Sequence, residues 1–279
     1  MPSPSDERRE IVEYYERGDE RDRLTRGVGL LEYERTKEIV RRHLPVGGEV
    51  ADVGGGPGRY ALWLAGLGFT VHHRDLMPLH VAQLTDAARD DPLIEPLIDT
   101  AVCDARSLDL ADASVDAVVL LGPMYHLRRR QDRLLALREA RRVVRPGAPV
   151  FVAVISRWAA RVHGMLVERL YLRFPDLDAR LPDVERSGVL PVLEPADFTG
   201  YCHRPGALAR EVRAAGLELV DLVSVEGPAS LIGDLDERLR DPLHAAVVMS
   251  TARALERVPE LIGIGPHLLA TARRPPDAA

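Results

Sequence analysis

Residues 49–60, EVADVGGGPGRY, constrain the fold more than any other stretch of the chain. A short apolar run leads directly into four glycines and then into a helical pattern from Arg59, so a buried strand must turn sharply and start a helix. Gly54, Gly55, Gly56 and Gly58 permit that turn and let a ligand approach the backbone closely. The helix start aims free N–H groups at whatever lies there, which suits a nucleoside-like ligand. The spacing is not a nicotinamide-dinucleotide fingerprint. The third glycine of G-x-G-x-x-G would fall at 59, where Arg stands, and Asp52 sits two residues before the first glycine.

Strands and helices alternate after this loop. A helix over 60–67 is followed by a short strand over 70–74 that ends at Asp75, 21 residues past Gly54. An acid there can accept both hydroxyls of a ribose. A helix over 79–89 and breaks at Pro92 and Pro96 precede a third strand over 100–104, with Asp104 just past its end. The β-branched run 115–121 reads as a strand buried on both faces, and it delivers the chain into GPMYHL, residues 122–127. Ligands of open α/β sheets bind beyond such strand ends. A helix over 133–144 and strand 150–155 follow; then come helix 206–215, strand 217–225, helical pieces 230–239 and 243–257, and a last strand within 265–273. This makes seven strands. Ahead of the first lie an amphipathic helix and turn over 6–24, around Ile11, Val12, Tyr14 and Tyr15, and a helix over 30–43. The alternation fails only over 156–199. A helix-like piece, 159–174, is followed there by Pro175, Pro182, Gly188, Pro191 and Pro195, the pattern of an inserted cap.

A chain of 279 residues with 46% hydrophobic and 29% charged residues supports one large domain, or one domain with an elaborated cap. No uncharged run approaches the ~18 residues of a membrane helix, and the first residues have no apolar core of a signal peptide, so we expect a cytoplasmic protein without a membrane partner. Cys103 and Cys202 are far apart and lack ligand spacing, which argues against a zinc site or a disulfide framework. The net charge of −6, from 43 acidic and 37 basic residues, disfavours polyanions, so no nucleic acid is expected as partner. The Arg runs 128–130 and 141–142 lie in a Leu- and Ala-rich helical stretch and read as a solvated face.

Asp52, Gly54, Gly56 and Gly58 match D/E-x-G-x-G-x-G, and over about residues 10–274 the chain resembles the class I S-adenosylmethionine (SAM)-dependent methyltransferases. The resemblance implies an α/β, Rossmann-like sheet of seven strands with the last inserted antiparallel. It implies N-terminal lid helices (1–44), a SAM-binding core (45–155), an inserted cap (156–199), the C-terminal part of the core (200–274) and a tail (275–279). It also implies SAM as cofactor and S-adenosylhomocysteine (SAH) as product. The residues it assigns to SAM are Asp52, Gly54, Gly55, Gly56, Gly58, Asp75 and Leu121, with Asp104 and the Ala105 N–H at the adenine. No metal is expected, because metal-dependent relatives cluster acids after the fourth strand and residues 122–127 carry none.

The SAM methyl is already electrophilic, so the protein has mainly to align a nucleophile and exclude water. A base helps only when the acceptor arrives protonated. His126, after the fourth strand, is the candidate base, with Tyr125 shaping the pocket beside it; a turn-fixing role for His126 stands equally. Gly122 replaces the side-chain acceptor of N/D-P-P-Y, which counts against adenine-N6 or glutamine-N methylation. Tyr14, Tyr15, Tyr201 and His203 are candidate substrate contacts, with packing as the other reading, and His163 carries a fainter signal. His72, His73 and Arg74 read as strand-edge residues. The sequence thus points to methyl transfer to an O, N or C nucleophile of a small-molecule metabolite. The alternatives are a SAM-using enzyme without methyl transfer, such as a cyclase, and a non-catalytic SAM-binding interaction protein. A macromolecular acceptor is disfavoured, and the acceptor's identity and the choice between monomer and homodimer stay open.

Overall fold

The computed structural model describes residues 4–16, 18–193 and 198–276; Pro195 and the end of the expected tail, 277–279, lie outside them. Helix α1 (Pro4–Tyr15), a 3-10 helix (Asp19–Thr25) and α2 (Gly27–Arg41) precede β1 (Glu49–Val53). Next come α3 (Arg59–Ala65), β2 (Thr70–Asp75), α4 (Pro78–Arg89), β3 (Ile98–Val102), β4 (Ala117–Leu120), α5 (Pro123–His126), α6 (Arg130–Val143) and β5 (Pro149–Ile155). After the irregular stretch the chain continues through α7 (Leu177–Ser187), α8 (Pro205–Ala214), β6 (Glu218–Ser224), α9 (Leu235–Arg240), α10 (Pro242–Leu255) and β7 (His267–Arg273).

The seven strands form one sheet in the order β3-β2-β1-β4-β5-β7-β6. Strands β1 to β5 pair parallel, and β7 runs antiparallel between β5 and β6. Strand β4 shows why the sheet is covered on both faces. Its alternate residues divide between two cores, Val118 and Leu120 packing with Leu137 and Val152, and Ala117 and Val119 packing with Leu64 and Phe151. The direction of winding reverses between β1 and β4, so a crevice opens beyond their carboxyl ends, beside the glycine loop.

Over 6–24 the helix is followed by a turn, as expected: α1 stops at Tyr15, and Gly18 at φ 78° turns the chain into the 3-10 helix. Strand β3 begins earlier than expected, at Ile98, and ends at Val102; Asp104 lies just past it, as expected, where its carboxylate accepts the Arg106 N–H at 2.9 Å and starts a turn. Within the stretch 156–199, the helix-like piece divides into a wide π-helical turn, Ala160–Met165, and a 3-10 turn, Leu170–Leu172. Helix α7 then runs through Pro182, which the sequence marks as a break. Leu177, Leu181 and Val184 bury one stripe of α7 against Leu170, Phe174 and Leu190, and this packing outweighs the missing N–H. Among the described residues no helix is long and apolar enough to cross a membrane.

Candidate active site

The four loop glycines are needed for different reasons. A side chain at Gly54 would meet Pro123 at 2.5 Å, one at Gly55 would collide with the Asp52 carboxylate and the His73 ring, and one at Gly58 would collide with Leu84. Each of these glycines is closed in by protein. At Gly56, with φ 58°, a Cβ would meet nothing nearer than Glu20 Cγ at 3.9 Å, so the space in front of it is open. The loop is held from β2: His73 Nε2 and the Gly56 carbonyl are 3.0 Å apart, and Asp75 Oδ2 accepts the Gly56 N–H at 2.8 Å. His73 is therefore a buried support of the loop in an interior strand and not a strand-edge residue. Gly122 also has a steric cause, since a Cβ there would run into the Gly54 carbonyl.

Two carboxylates flank the loop in contrasting states. Asp52 is fully buried and neither of its oxygens has a hydrogen-bond partner among the described residues. Burial, with the nearby Asp75 charge second, pushes its pKa up to about 7; the Ala61 N–H works the other way but lies outside hydrogen-bond geometry. Asp75 is buried too, yet its carboxylate accepts the N–H groups of Gly56 and Met77, each at 2.8 Å, and pairs with His80 Nδ1 at 3.0 Å. Against the effect of burial, these partners hold its pKa below the usual aspartate value.

Two cavities adjoin these residues. The first is lined by eight of the nine residues expected around the cofactor: Asp52, Gly54, Gly55, Gly56, Asp75, Asp104, Ala105 and Leu121. Gly58 stands behind the loop as the N-cap of α3. The Asp104 carboxylate is engaged by the Arg106 guanidinium at 2.7 Å. The second cavity, about 710 Å³, opens among the lid, α5 and the 156–199 stretch. Tyr15, Glu20, Arg23, Glu32 and Tyr125 line both cavities and so form a shared wall.

His126 stands beside that wall in the first cavity. Its Nε2 is hydrogen-bonded to the Tyr15 hydroxyl at 2.7 Å, and the Tyr15 ring packs edge-on against both His126 and His80. Burial pushes the His126 pKa down to about 4, against the attraction of Asp75. The imidazole is thus neutral near pH 7 and does not titrate near the 6.5 expected of an exposed histidine. Burial likewise raises the pKa of the Tyr125 hydroxyl. Tyr14 packs on Tyr15 and lines the second cavity.

Within the wall, Arg23 donates to Glu20 at 2.7 Å and to Glu32 at 2.5 Å, and beside it His267 Nδ1 is 2.6 Å from Glu226 and 3.6 Å from Glu32. Burial opposes charge on His267, but the Glu32 and Glu226 carboxylates outweigh it and raise the pKa to about 9. Glu32, Glu226 and His267 bring ligand-type atoms within 4.8 Å of one another, and the protonated imidazole itself supplies a cation to the two carboxylates.

Tyr201 and His203 line neither cavity. The Arg133 guanidinium lies 3.8 Å over the Tyr201 ring, and His203 Nε2 is 3.2 Å from Glu211, which also accepts from Arg133 at 2.7 and 2.9 Å. They belong to a buried ion cluster that ties α6 to α8, which is the packing reading. Glu20, Arg23, Glu32, His80 and His267 line the cavities beyond the residues that sequence reasoning assigned. For Glu20 and Arg23 the available signal was their i, i+3 spacing in the lid segment, where dense charge looks like a solvated face.

A family described as a methyltransferase domain matches residues 51–152. The chain is 33% identical over 184 residues to the ubiquinone/menaquinone biosynthesis C-methyltransferase UbiE of Acidiphilium cryptum, a match covering 65% of this chain and 70% of that protein. It is 34% identical over 125 residues to methyltransferase GfsG of Streptomyces halstedii, covering 44% of each, so that match spans less than half of the relative's length. The crystal structure of Burkholderia thailandensis 1,6-didemethyltoxoflavin-N1-methyltransferase, with 1,6-didemethyltoxoflavin and SAH bound, superposes with a TM-score of 0.60 at 16% identity. That alignment covers 99% of this chain and 92% of the other, and it shows a common fold.

Proposed function

The chain belongs to the class I SAM-dependent methyltransferases, and from that premise we propose that it carries the SAM methyl group to a nucleophile on a small, largely apolar molecule held in the second cavity. The observation that carries this reading is the shared wall, because five residues line both the cavity beside the glycine loop and a second cavity of about 710 Å³.

The residues of the first cavity fit the cofactor. The space in front of Gly56 is one that a side chain would fill, and the partnerless Asp52 carboxylate lacks a cation or donor that the methionyl ammonium of SAM would supply. Asp75 would accept the ribose hydroxyls, and Asp104 with the Ala105 N–H would meet the adenine. When bound, SAM supplies an electrophilic methyl group that needs no further activation. The chain's own contribution is then position and dryness. Tyr15 and Tyr125 line both cavities, the neutral His126 holds the Tyr15 hydroxyl, and the N-terminal helices would exclude water. The net charge of −6 favours a small acceptor over a polyanion.

The test is a SAM titration by calorimetry, followed by incubation with a panel of lipophilic alcohols, phenols and amines and mass analysis of the products. SAH together with a methylated acceptor is expected. Methylthioadenosine as product, or no measurable SAM binding, defeats the reading.

A further inference from the structure

We propose that two copies of this chain associate through helix α10, packed antiparallel about a twofold axis. The inner stripe of α10 is buried, with Val248 and Ala252 packing against Leu31 of α2 and Leu235 of α9. Its outer stripe is apolar as well. Leu243 is 73% exposed and Val247 57%, and Ala246, Ser250, Thr251 and Ala254 are exposed around them.

Between Asp241 and Arg253 the helix carries no acid, lysine or arginine on any side. Other helices turn charge outward: α4 shows Asp86 and Arg89 to solvent, and α8 shows Arg210 and Arg213. A surface helix sets charged residues opposite its buried stripe, whereas a helix that is apolar all round is one that becomes covered. At about 100° per residue, Leu243, Val247, Ser250 and Ala254 fall within about 60° of one another and form one stripe roughly 17 Å long. It lies opposite Val248 and Ala252, so the fold of a single chain cannot bury it.

The stripe fits a copy of itself. Its N-terminal half is large and its C-terminal half small, so an antiparallel pair centred between Val247 and Ser250 sets Leu243 of one protomer on the partner's Ala254, and Val247 on the partner's Ser250. Large side chains then enter the space that small ones leave. The same register brings Asp241, half exposed at one end, to the end of the partner where Arg253 and Arg257 are half exposed, and it opposes the two helix dipoles. A parallel pair would set Leu243 on Leu243 and like charge on like charge. A contact of one helix pair is smaller than the ~800 Å² per protomer of a standard interface, so a dissociation constant on the order of 10–100 µM is expected.

The test is sedimentation velocity on the full chain from about 1 µM to about 300 µM. Wild type should pass from monomer to dimer, and Val247→Lys should weaken association by at least about tenfold, because each dimer would bury two ammonium groups. A thermal melt of V247K at about 1 µM, matching that of wild type, shows that lost association is not lost folding. Register is read separately, without the lysine variant. Equal amounts of Val247→Cys and Ser250→Cys proteins are mixed and oxidised, and the disulfide-linked peptides are identified by mass spectrometry. Bonds joining position 247 to position 250 should predominate over bonds joining like positions. A wild type that stays monomeric at about 300 µM, dimerisation that V247K leaves intact, or a predominance of like-with-like bonds overturns the inference.

Discussion

The two cavities differ in what builds them. The first is made by backbone: glycines that must turn, strand ends that must point into a crevice, and a carboxylate fixed by three donors. The second is made by side chains from the lid and the irregular stretch after β5, packed on one another and on α5. Backbone demands leave a short, spaced signature in sequence, whereas a packed chamber leaves only an apolar composition. A site of the first kind tolerates few substitutions and one ligand class. A site of the second kind can be recut for new acceptors without disturbing the fold.

Gly56→Val is the sharpest way to break this contrast, and it carries the largest expected effect. The side chain would project into open space, so the fold should survive with a stability loss of about 1–2 kcal/mol from the left-handed backbone, while SAM affinity falls by about 1000-fold or more. Gly58→Val should instead lower stability outright, because it collides with Leu84. Thermal melts paired with calorimetry separate the two. A Gly56→Val protein that binds SAM normally would remove the first cavity from the cofactor.

The next effect belongs to the foot of the second cavity. The folded pKa of His267, about 9, lies above the ~6.5 of an unfolded histidine. Stability from this group is therefore fully present below pH ~6.5 and is lost as pH rises through 9, amounting to at most about 3 kcal/mol. The unfolding midpoint of wild type should fall between pH 7 and 10, and His267→Gln should flatten that slope. Identical slopes in the two proteins would show that the Glu32 and Glu226 charges are not coupled to folding through His267.

Asp75→Ala should weaken SAM by about 1.5–3 kcal/mol, the scale of hydrogen bonds to a charged group. Because Asp75 also holds the Gly56 N–H, the loss combines missing ligand contacts with a looser loop, and binding of a probe in the second cavity should be unchanged. Equal weakening at both cavities would mean that the shared wall couples them more tightly than the geometry implies.

The same division explains what was legible. The alternating strands and the glycine loop follow from period, length and glycine spacing, the antiparallel last strand follows only from the family resemblance, and β4 shows the reason, since a strand buried on both faces has few other readings. The helix through Pro182 was hidden because the gain from burying Leu177, Leu181 and Val184 appears only once their partners are known. Tyr201 and His203 stood open between substrate contact and packing because nothing in the sequence shows that Glu211 and Arg133 stand opposite them. His73 looked peripheral because its role, holding the Gly56 carbonyl, depends on strand register. Of the resemblance-based assignments, Gly58 meets Leu84 and not the cavity, so one motif can mix ligand and packing demands.

The smallest expected effect decides between position and proton transfer at the shared wall. An exposed-histidine base at position 126 would cost about 10²- to 10⁴-fold in kcat when removed, and would give a rate that rises with pH near 6.5. The structure points elsewhere, because burial brings the His126 pKa to about 4 and its Nε2 is already taken by Tyr15. The imidazole is neutral across pH 5 to 8, so the wild-type rate should show no rising limb from His126 in that range. His126→Asn and Tyr15→Phe should each lower kcat by about tenfold with SAM affinity nearly unchanged, and the double variant should be no worse than either single one, since both lose the same hydrogen bond. Measured with an acceptor found in the panel, additive losses would separate the two residues. A limb near pH 6.5 that vanishes in His126→Asn, with a loss of 10²-fold or more, would return His126 to the role of base and place the chemistry on the first cavity's side of the wall.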